Sequence, residues 1–198
     1  LALLTALLDV SGKADLTYTV ETLSAFADLA VDDAIRAAFD ERVPGEPLQG
    51  FAVIALGKHG SHELNYSSDI DPILLFDPAT MPRRERDDPV EAAVRMGRRV
   101  TEILSARTGD GFVFRVDLRL RPTPEVTPIV LPVNAAIGYY ESQALAWEQA
   151  AFIRARACAG DRALGRYFLD AIRPFVWRKS LDYRQIKEIG SVSQRIRD

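Results

Sequence analysis

Asp69 and Asp71 stand two residues apart at what reads as the start of a strand, a spacing that sends both carboxylates to one face. Two carboxylates on one edge repel each other unless a cation sits between them. Mg²⁺ takes one or two carboxylates together with phosphate oxygens and water, so the pair is a natural seat for it. Asp117, in the later segment Phe112 to Arg121, is the candidate third carboxylate of a cluster suited to in-line displacement at phosphorus. Arg115, Arg119 and Arg121 share its face if that segment is a regular strand. Guanidinium groups suit bidentate phosphate binding and the neutralisation of developing charge. The turn Gly57-Lys58-His59-Gly60-Ser61 offers backbone N–H groups to a phosphate, since glycine permits close approach.

A lone Asp-x-Asp says little. A glycine turn after a strand, an Asp-x-Asp opening the next strand, and a further Asp among arginines say much more together. The competing reading of the arginines is a set of surface groups paired with acids such as Glu125 or Glu141. His59 and His62 near Glu63 lack the spacing of a helical zinc motif and read as surface or turn histidines. Cys158 reads as a small buried apolar side chain.

These residues need elements to hold them. Phe51 to Leu56 is a short continuous apolar run, the pattern of a strand buried on both faces, and Ile70 to Phe76 reads as a second strand. Pro72 within it belongs at a strand's first residue or edge. Phe112 to Arg121 alternates, with Phe112, Phe114, Val116, Leu118 and Leu120 on one side, and predicts a third strand. Ahead of the core, Leu3, Leu4, Leu7 and Leu8 have helical spacing. Val20, Leu23, Phe26, Ala30, Ala34, Ala38 and Phe39 then predict a long helix, ended by the two prolines and glycine between Val43 and Pro47. Pro78 to Asp88 is a polar, basic loop. Asp88, Pro89 and Glu91 signal a helix start with a capping box, and Gly109 and Gly111 mark the end of that helix. Pro122 to Pro132 reads as an extended loop. Helices are expected over roughly 134–152, 162–172 before Pro174, and 182–197 with Asp182 and Gln185 as a cap pair. The expected organisation is a helical lead-in over 1–47, a core over 48–132, and a helical segment over 133–198 that completes the domain.

The bulk numbers narrow the function. The 198 residues are 47 % hydrophobic and 27 % charged, the composition of a globule with a real core. A net charge of −3 and a pI near 5.5 argue against a nucleic-acid binder working by bulk charge. One cysteine excludes an internal disulfide and points to a reducing, cytoplasmic setting. No apolar run is long enough to span a membrane, and the opening Leu1 to Val10 reads as helix rather than signal peptide. The chain begins at Leu1 and stops inside a helical pattern, which predicts a piece of something longer.

Several stretches carry a family resemblance. They are Gly57-Lys58, Glu63-Leu-Asn-Tyr-Ser-Ser-Asp-Ile-Asp71, Phe114-Arg-Val-Asp-Leu-Arg-Leu-Arg-Pro122, Tyr139-Tyr-Glu-Ser-Gln143, and Ala146-Trp-Glu-Gln-Ala150 with Arg154-Ala-Arg156. In this order, from about Phe51 onward, they resemble the glutamine synthetase adenylyltransferase family. The resemblance implies an α+β nucleotidyltransferase fold of the polymerase-β kind, with a mixed sheet, packed helices and a helical C-terminal segment. Gly57 and Asp69 keep the family's spacing between its glycine and its Asp-x-Asp. The resemblance makes Asp69, Asp71 and Asp117 the catalytic Mg²⁺ ligands. It makes Gly57, Lys58, Ser68, Arg119 and Arg121 candidates for binding substrate and phosphate. Trp147, Glu148, Arg154 and Arg156 fit structural or docking roles. His59 stands where the family usually has leucine, and the loop after Pro122 lacks expected glycines.

Enzymes of this family have two such domains. One moves AMP from ATP to a tyrosine of glutamine synthetase, and the other removes it by phosphorolysis, releasing ADP. A nitrogen-signal regulatory protein and glutamine decide between them. Asn65-Tyr-Ser-Ser-Asp-Ile-Asp71, Pro174-Phe-Val-Trp-Arg-Lys179 and Leu181-Asp-Tyr183 resemble the amino-terminal, adenylyl-removing half more than the adenylylating one. Implied partners are therefore glutamine synthetase, the regulatory protein through the longer enzyme, and ATP, ADP or phosphate, with no nucleic acid and no membrane. The alternatives are AMP transfer in the opposite direction and a non-catalytic module of the same fold that senses a nucleotide or effector.

Overall fold

In the computed structural model, which describes residues 1–109 and 111–177, the two apolar runs form the centre of a sheet. β1 (Phe51–Ala55) and β2 (Pro72–Phe76) are buried at every position. They pair antiparallel, with Phe51 opposite Phe76 and Ala55 opposite Pro72. Strands covered on both faces need no polar alternation, which is why both read as continuous apolar runs. Pro72 takes the first position of β2, where a missing N–H does least harm to the ladder.

Two strands absent from the sequence reading complete the sheet, in the order β3-β2-β1-β4. β3 (Val130–Pro132) runs parallel to β2 at the end of the proline loop. β4 (Arg156–Gly160) runs antiparallel to β1, with a register shift between Val53 and Ile54. The segment beyond residue 133, expected to be helical, therefore also supplies a strand.

The pleat sorts side chains into two layers. On one face Phe51, Val53, Ala55, Leu74 and Phe76 meet the buried stripes of α2 (Leu16–Arg42) and α4 (Pro89–Ser105). On the other, Ala52, Ile54, Ile73 and Leu75 meet Ala136 and Tyr140 of α5 (Val133–Ser142) and Phe168 and Ile172 of α7 (Arg162–Val176). The result is an α+β fold on a mixed sheet. α2 is capped by Asp15, which accepts from the Tyr18 N–H. Asp88 caps α4 through the N–H groups of Val90 and Glu91, while the Glu91 carboxylate pairs with Arg95. α1 (Ala2–Val10) lies against α2 and leaves Leu3, Leu4 and Leu7 exposed.

Two helical expectations change, and a third is not covered. The helix expected over 134–152 is divided, α6 (Ala146–Phe152) starting afresh after a break. α7 continues past Ile172 through Pro174 to Val176. The helix expected over 182–197, with its Asp182 and Gln185 cap pair, lies outside the described residues. Among those residues no helix is long and apolar enough to cross a membrane.

The strand expected over Phe112 to Arg121 is a correction. Only Val116 bridges, parallel to Ile70, through Ile70 N–H to the Arg115 carbonyl at 3.0 Å and Asp117 N–H to the Ile70 carbonyl at 2.9 Å. The Asp117 side chain then captures the backbone N–H of Arg119 at 2.9 Å, an Asx-type bond that turns the chain out of the ladder. The break is visible in the packing. Phe114, Val116 and Leu118 lie against the α2–α4 layer, whereas Leu120 lies against the α5–α7 layer.

Candidate active site

Backbone bonds at the ends of β1 and β2 bring the three acids together. Leu56 N–H donates to the Asp71 carbonyl at 3.2 Å, and Ile70 is buried and bridged to Val116. Asp69 and Asp71 flank that buried anchor, and Asp117 follows it on the partner segment. All three line one open cleft of about 610 Å³, together with Gly57, Lys58, Ser68, Arg115 and Arg119.

Gly57 opens α3 (Gly57–Gly60), a single turn directly after β1. Its φ is +55°, and a Cβ there would lie 3.0 Å from Asp71 Oδ2. Glycine is thus required twice, for the left-handed backbone and for the approach of the carboxylate. Leu64 is buried and its N–H donates to the Ser24 hydroxyl, which ties the following loop to α2. Within that loop Asn65 Oδ1 accepts from the Ser67 N–H and from the Ser68 hydroxyl. Ser68 therefore lines the cleft with its hydroxyl engaged in the loop's own turn.

The arginines differ from one another. Arg115 pairs with Asp69 and donates to the Ser67 carbonyl. Arg119 forks onto Asp117, with Nε 2.8 Å from Oδ2, and is otherwise exposed. Arg121 does not line the cleft. It donates to the carbonyls of Leu118 at 2.7 Å and Pro124 at 2.6 Å, and so holds the proline loop. Glu125 and Glu141 take none of the three among the described ion pairs. Lys58 is exposed at the rim.

Electrostatics set Asp71 apart. Hydrogen bonding to Arg119 holds Asp117 below the usual carboxylate range, and the same bond raises Arg119. Asp71 has no ion pair among the described residues. Its pKa is raised, first by burial and then by the charges of Asp117 and Asp69. An oxygen-only set of three carboxylates is the chemistry of a hard divalent cation. Arg115 and Arg119 hold two of the acids, Asp69 and Asp117, as ion-pair partners. Among the described residues the donors that all lie within 4.8 Å of one another belong to Asp28, His59 and Cys158.

That second group was not legible in the sequence. His59 is not a surface histidine but a buried one, with Nε2 2.7 Å from Asp28 Oδ1. His62 is exposed at a φ of 59°, and Glu63 pairs with Arg154 at 2.8 Å. Cys158 is buried as expected, its thiol pushed up to about 12 chiefly by burial. Asn65, quoted above only as part of a motif, has a role of its own as the turn-former of its loop, signalled by an Asn three residues before a Ser. A signal for Asp28 existed too, a charge set between Ala27 and Val31 on the buried stripe of α2.

A family model described as glutamate-ammonia ligase adenylyltransferase matches residues 1–171. The chain belongs to that family. It is 44 % identical to the bifunctional glutamine synthetase adenylyltransferase/adenylyl-removing enzyme of Caulobacter vibrioides, over 99 % of this chain and 21 % of that protein. The protein of the same name from Mesorhizobium japonicum is 44 % identical over 98 % of this chain and 21 % of its own length. That from Brucella suis is 46 % identical over 86 % and 17 %. The chain spans about a fifth of the length of the curated relatives it matches.

Proposed function

We propose that the cleft holds Mg²⁺ on Asp69, Asp71 and Asp117 and performs nucleotidyl transfer on glutamine synthetase. The proposed direction is phosphorolytic removal of AMP from an adenylylated tyrosine, releasing ADP. The observation that carries the reading is Asp71, half-buried, without an ion pair among the described residues, and raised by burial and by two neighbouring carboxylates. Such a site stores repulsion that a divalent cation relieves. The cation supplies positive charge to the transferring phosphoryl oxygens and to the leaving oxygen.

The chain's own residues do the rest. Arg119 is exposed and paired with Asp117, so with Asp117 serving as a ligand to a bound cation its guanidinium would be available to a phosphate oxygen. Lys58 at the rim adds a second positive charge beside the same cleft. Arg115 keeps Asp69 and the Ser67 carbonyl in place. Inorganic phosphate attacks the AMP phosphorus, the bond from phosphorus to the tyrosyl oxygen breaks, and ADP leaves while that oxygen takes up a proton. A phenol with a pKa of about 10 leaves without a strong general acid.

The direction rests on the resemblance of Asn65 to Asp71 to the adenylyl-removing half, and the relatives' names carry both activities. In this reading the chain works in the cytoplasm as part of a longer enzyme, under a nitrogen-signal regulatory protein. The test is incubation of the chain with adenylylated glutamine synthetase, Mg²⁺ and phosphate. ADP should form, and should not form with Asp71→Asn. AMP transfer from ATP to the unmodified synthetase, without ADP formation from the adenylylated one, assigns the opposite direction. Neither activity in a chain that binds nucleotide favours the sensing module.

A further inference from the structure

Behind the cleft, three elements far apart in sequence meet in one buried polar cluster. Arg156 of β4 donates from Nη1 to Asp28 Oδ2 at 2.6 Å and from Nη2 to Asp28 Oδ1 at 2.7 Å. The same Nη2 donates to the backbone carbonyl of His59 at 3.0 Å, and His59 Nε2 lies 2.7 Å from Asp28. The side chains are 21 %, 16 % and 0 % exposed for Arg156, Asp28 and His59. Burial works to raise the Asp28 pKa, but the hydrogen bonds from His59 and Arg156 outweigh it and the net shift is downward. Asp28 is therefore an anion held in a largely dry place, and it specifies geometry as well as charge.

The carbonyl that Arg156 grips belongs to the Gly57–Gly60 turn, which meets this cluster at His59 and the metal-binding candidate Asp71 at Gly57. At its far end the turn is wedged, since a Cβ on Gly60 would lie 2.3 Å from the Arg154 carbonyl oxygen and 2.8 Å from that of Ala55. At its near end Gly57 packs under Asp71 Oδ2. A displacement of the turn is thus passed to the Asp71 carboxylate. Asp28, His59 and Cys158 could be read as an ion site instead. Arg156 already occupies both Asp28 oxygens, and the Cys158 thiol donates to the Val53 carbonyl, so a second cation would face a guanidinium.

We propose that Arg156 and Asp28, with His59, form a buried clamp that fixes the Gly57–Gly60 turn and through it the Asp71 carboxylate. Arg156 and Asp28 are positioning residues that do not contact substrate. The proposal rests on the reading of the cleft as a cation-dependent transfer site. A planar fork is needed to hold a carboxylate and a carbonyl at once, and a lysine ammonium reproduces the charge but not the fork.

The test is Arg156→Lys in the full chain, chosen because a neutral residue would strand the Asp28 charge and risk unfolding. Two quantities are measured well below the unfolding temperature. One is hydrogen exchange of the peptide covering residues 57–63 against that covering β1 and β2. The other is Mn²⁺ affinity, with Asp71→Asn as the reference for loss of the site. The clamp predicts faster exchange in 57–63 with the β1–β2 ladder unchanged, and Mn²⁺ binding weakened by about tenfold. Unchanged exchange in the turn overturns the clamp. Faster exchange with wild-type Mn²⁺ affinity overturns its link to Asp71 and leaves a purely structural tie. A wild-type chain that binds no Mn²⁺ refutes the cation reading itself, and turn exchange alone then decides the clamp.

Discussion

Gly57→Ala is the sharpest probe of how the cleft is built. The φ of +55° at this position is left-handed, and an L-residue there costs about 1–2 kcal/mol. Part of that is offset, by about 0.4–1 kcal/mol, because alanine also restricts the unfolded chain. The new methyl carbon would sit 3.0 Å from Asp71 Oδ2, closer than ordinary van der Waals contact, so the carboxylate must move by a few tenths of an ångström. The two backbone terms leave about 0–1.6 kcal/mol, a Tm loss of up to about 6 °C for a chain of this size, and the displaced carboxylate adds to it. Gly45→Ala is the control. Its φ is +81° with no atom within 4 Å of the added carbon, so it carries the backbone cost without the contact. Thermal unfolding should show both variants destabilised and Gly57→Ala more so. Mn²⁺ titration should show affinity reduced by about tenfold in Gly57→Ala alone. Equal Tm losses together with unchanged Mn²⁺ affinity in both variants would refute the idea that this glycine makes room for Asp71.

Three other predictions concern pH and packing. Asp71 is raised above 3.8, first by burial and then by Asp117 and Asp69, so the folded chain keeps a proton that the unfolded chain has already released. Ion-free stability should accordingly fall as pH rises from 3.8 through the raised value. Mn²⁺ affinity should fall as pH is lowered through the same window, and Asp71→Asn should remove the step from the stability profile. Gly138 lies exposed in α5 with no atom within 4 Å of an added Cβ, so Gly138→Ala should stabilise the chain by about 1 kcal/mol in denaturant titration. Gly60→Ala should cost about 3 kcal/mol in the same experiment, because both obstructing atoms are backbone oxygens that cannot swing aside.

Local pattern was enough to place the two central strands, because a strand buried on both faces must be apolar throughout, and Phe51 to Ala55 and Pro72 to Phe76 are. It was enough for α2 and α4 as well, through period, caps and breakers, and it picked out the Asp69, Asp71 and Asp117 set that lines the cleft. The remainder depended on packing between distant segments. β4 is built from Arg156-Ala-Cys-Ala-Gly160, residues with little strand propensity. They extend because β1 offers an unpaired edge and the space between α2 and α7 admits only small side chains. A Cβ on Gly165 of α7 would already lie 2.6 Å from that of Ala157. The alternation from Phe112 to Arg121 predicted a strand, but Asp117 bonds the Arg119 N–H and turns the chain, so Arg121 leaves the cleft for the carbonyls of Leu118 and Pro124. Periodicity carries no information about a side chain that competes for the backbone. The Asp28, His59 and Arg156 cluster joins positions separated by 31, 97 and 128 residues, and no local pattern encodes such a meeting. Helix and strand type follow from neighbours along the chain, whereas the partner of a buried charge is set by which elements the core brings face to face.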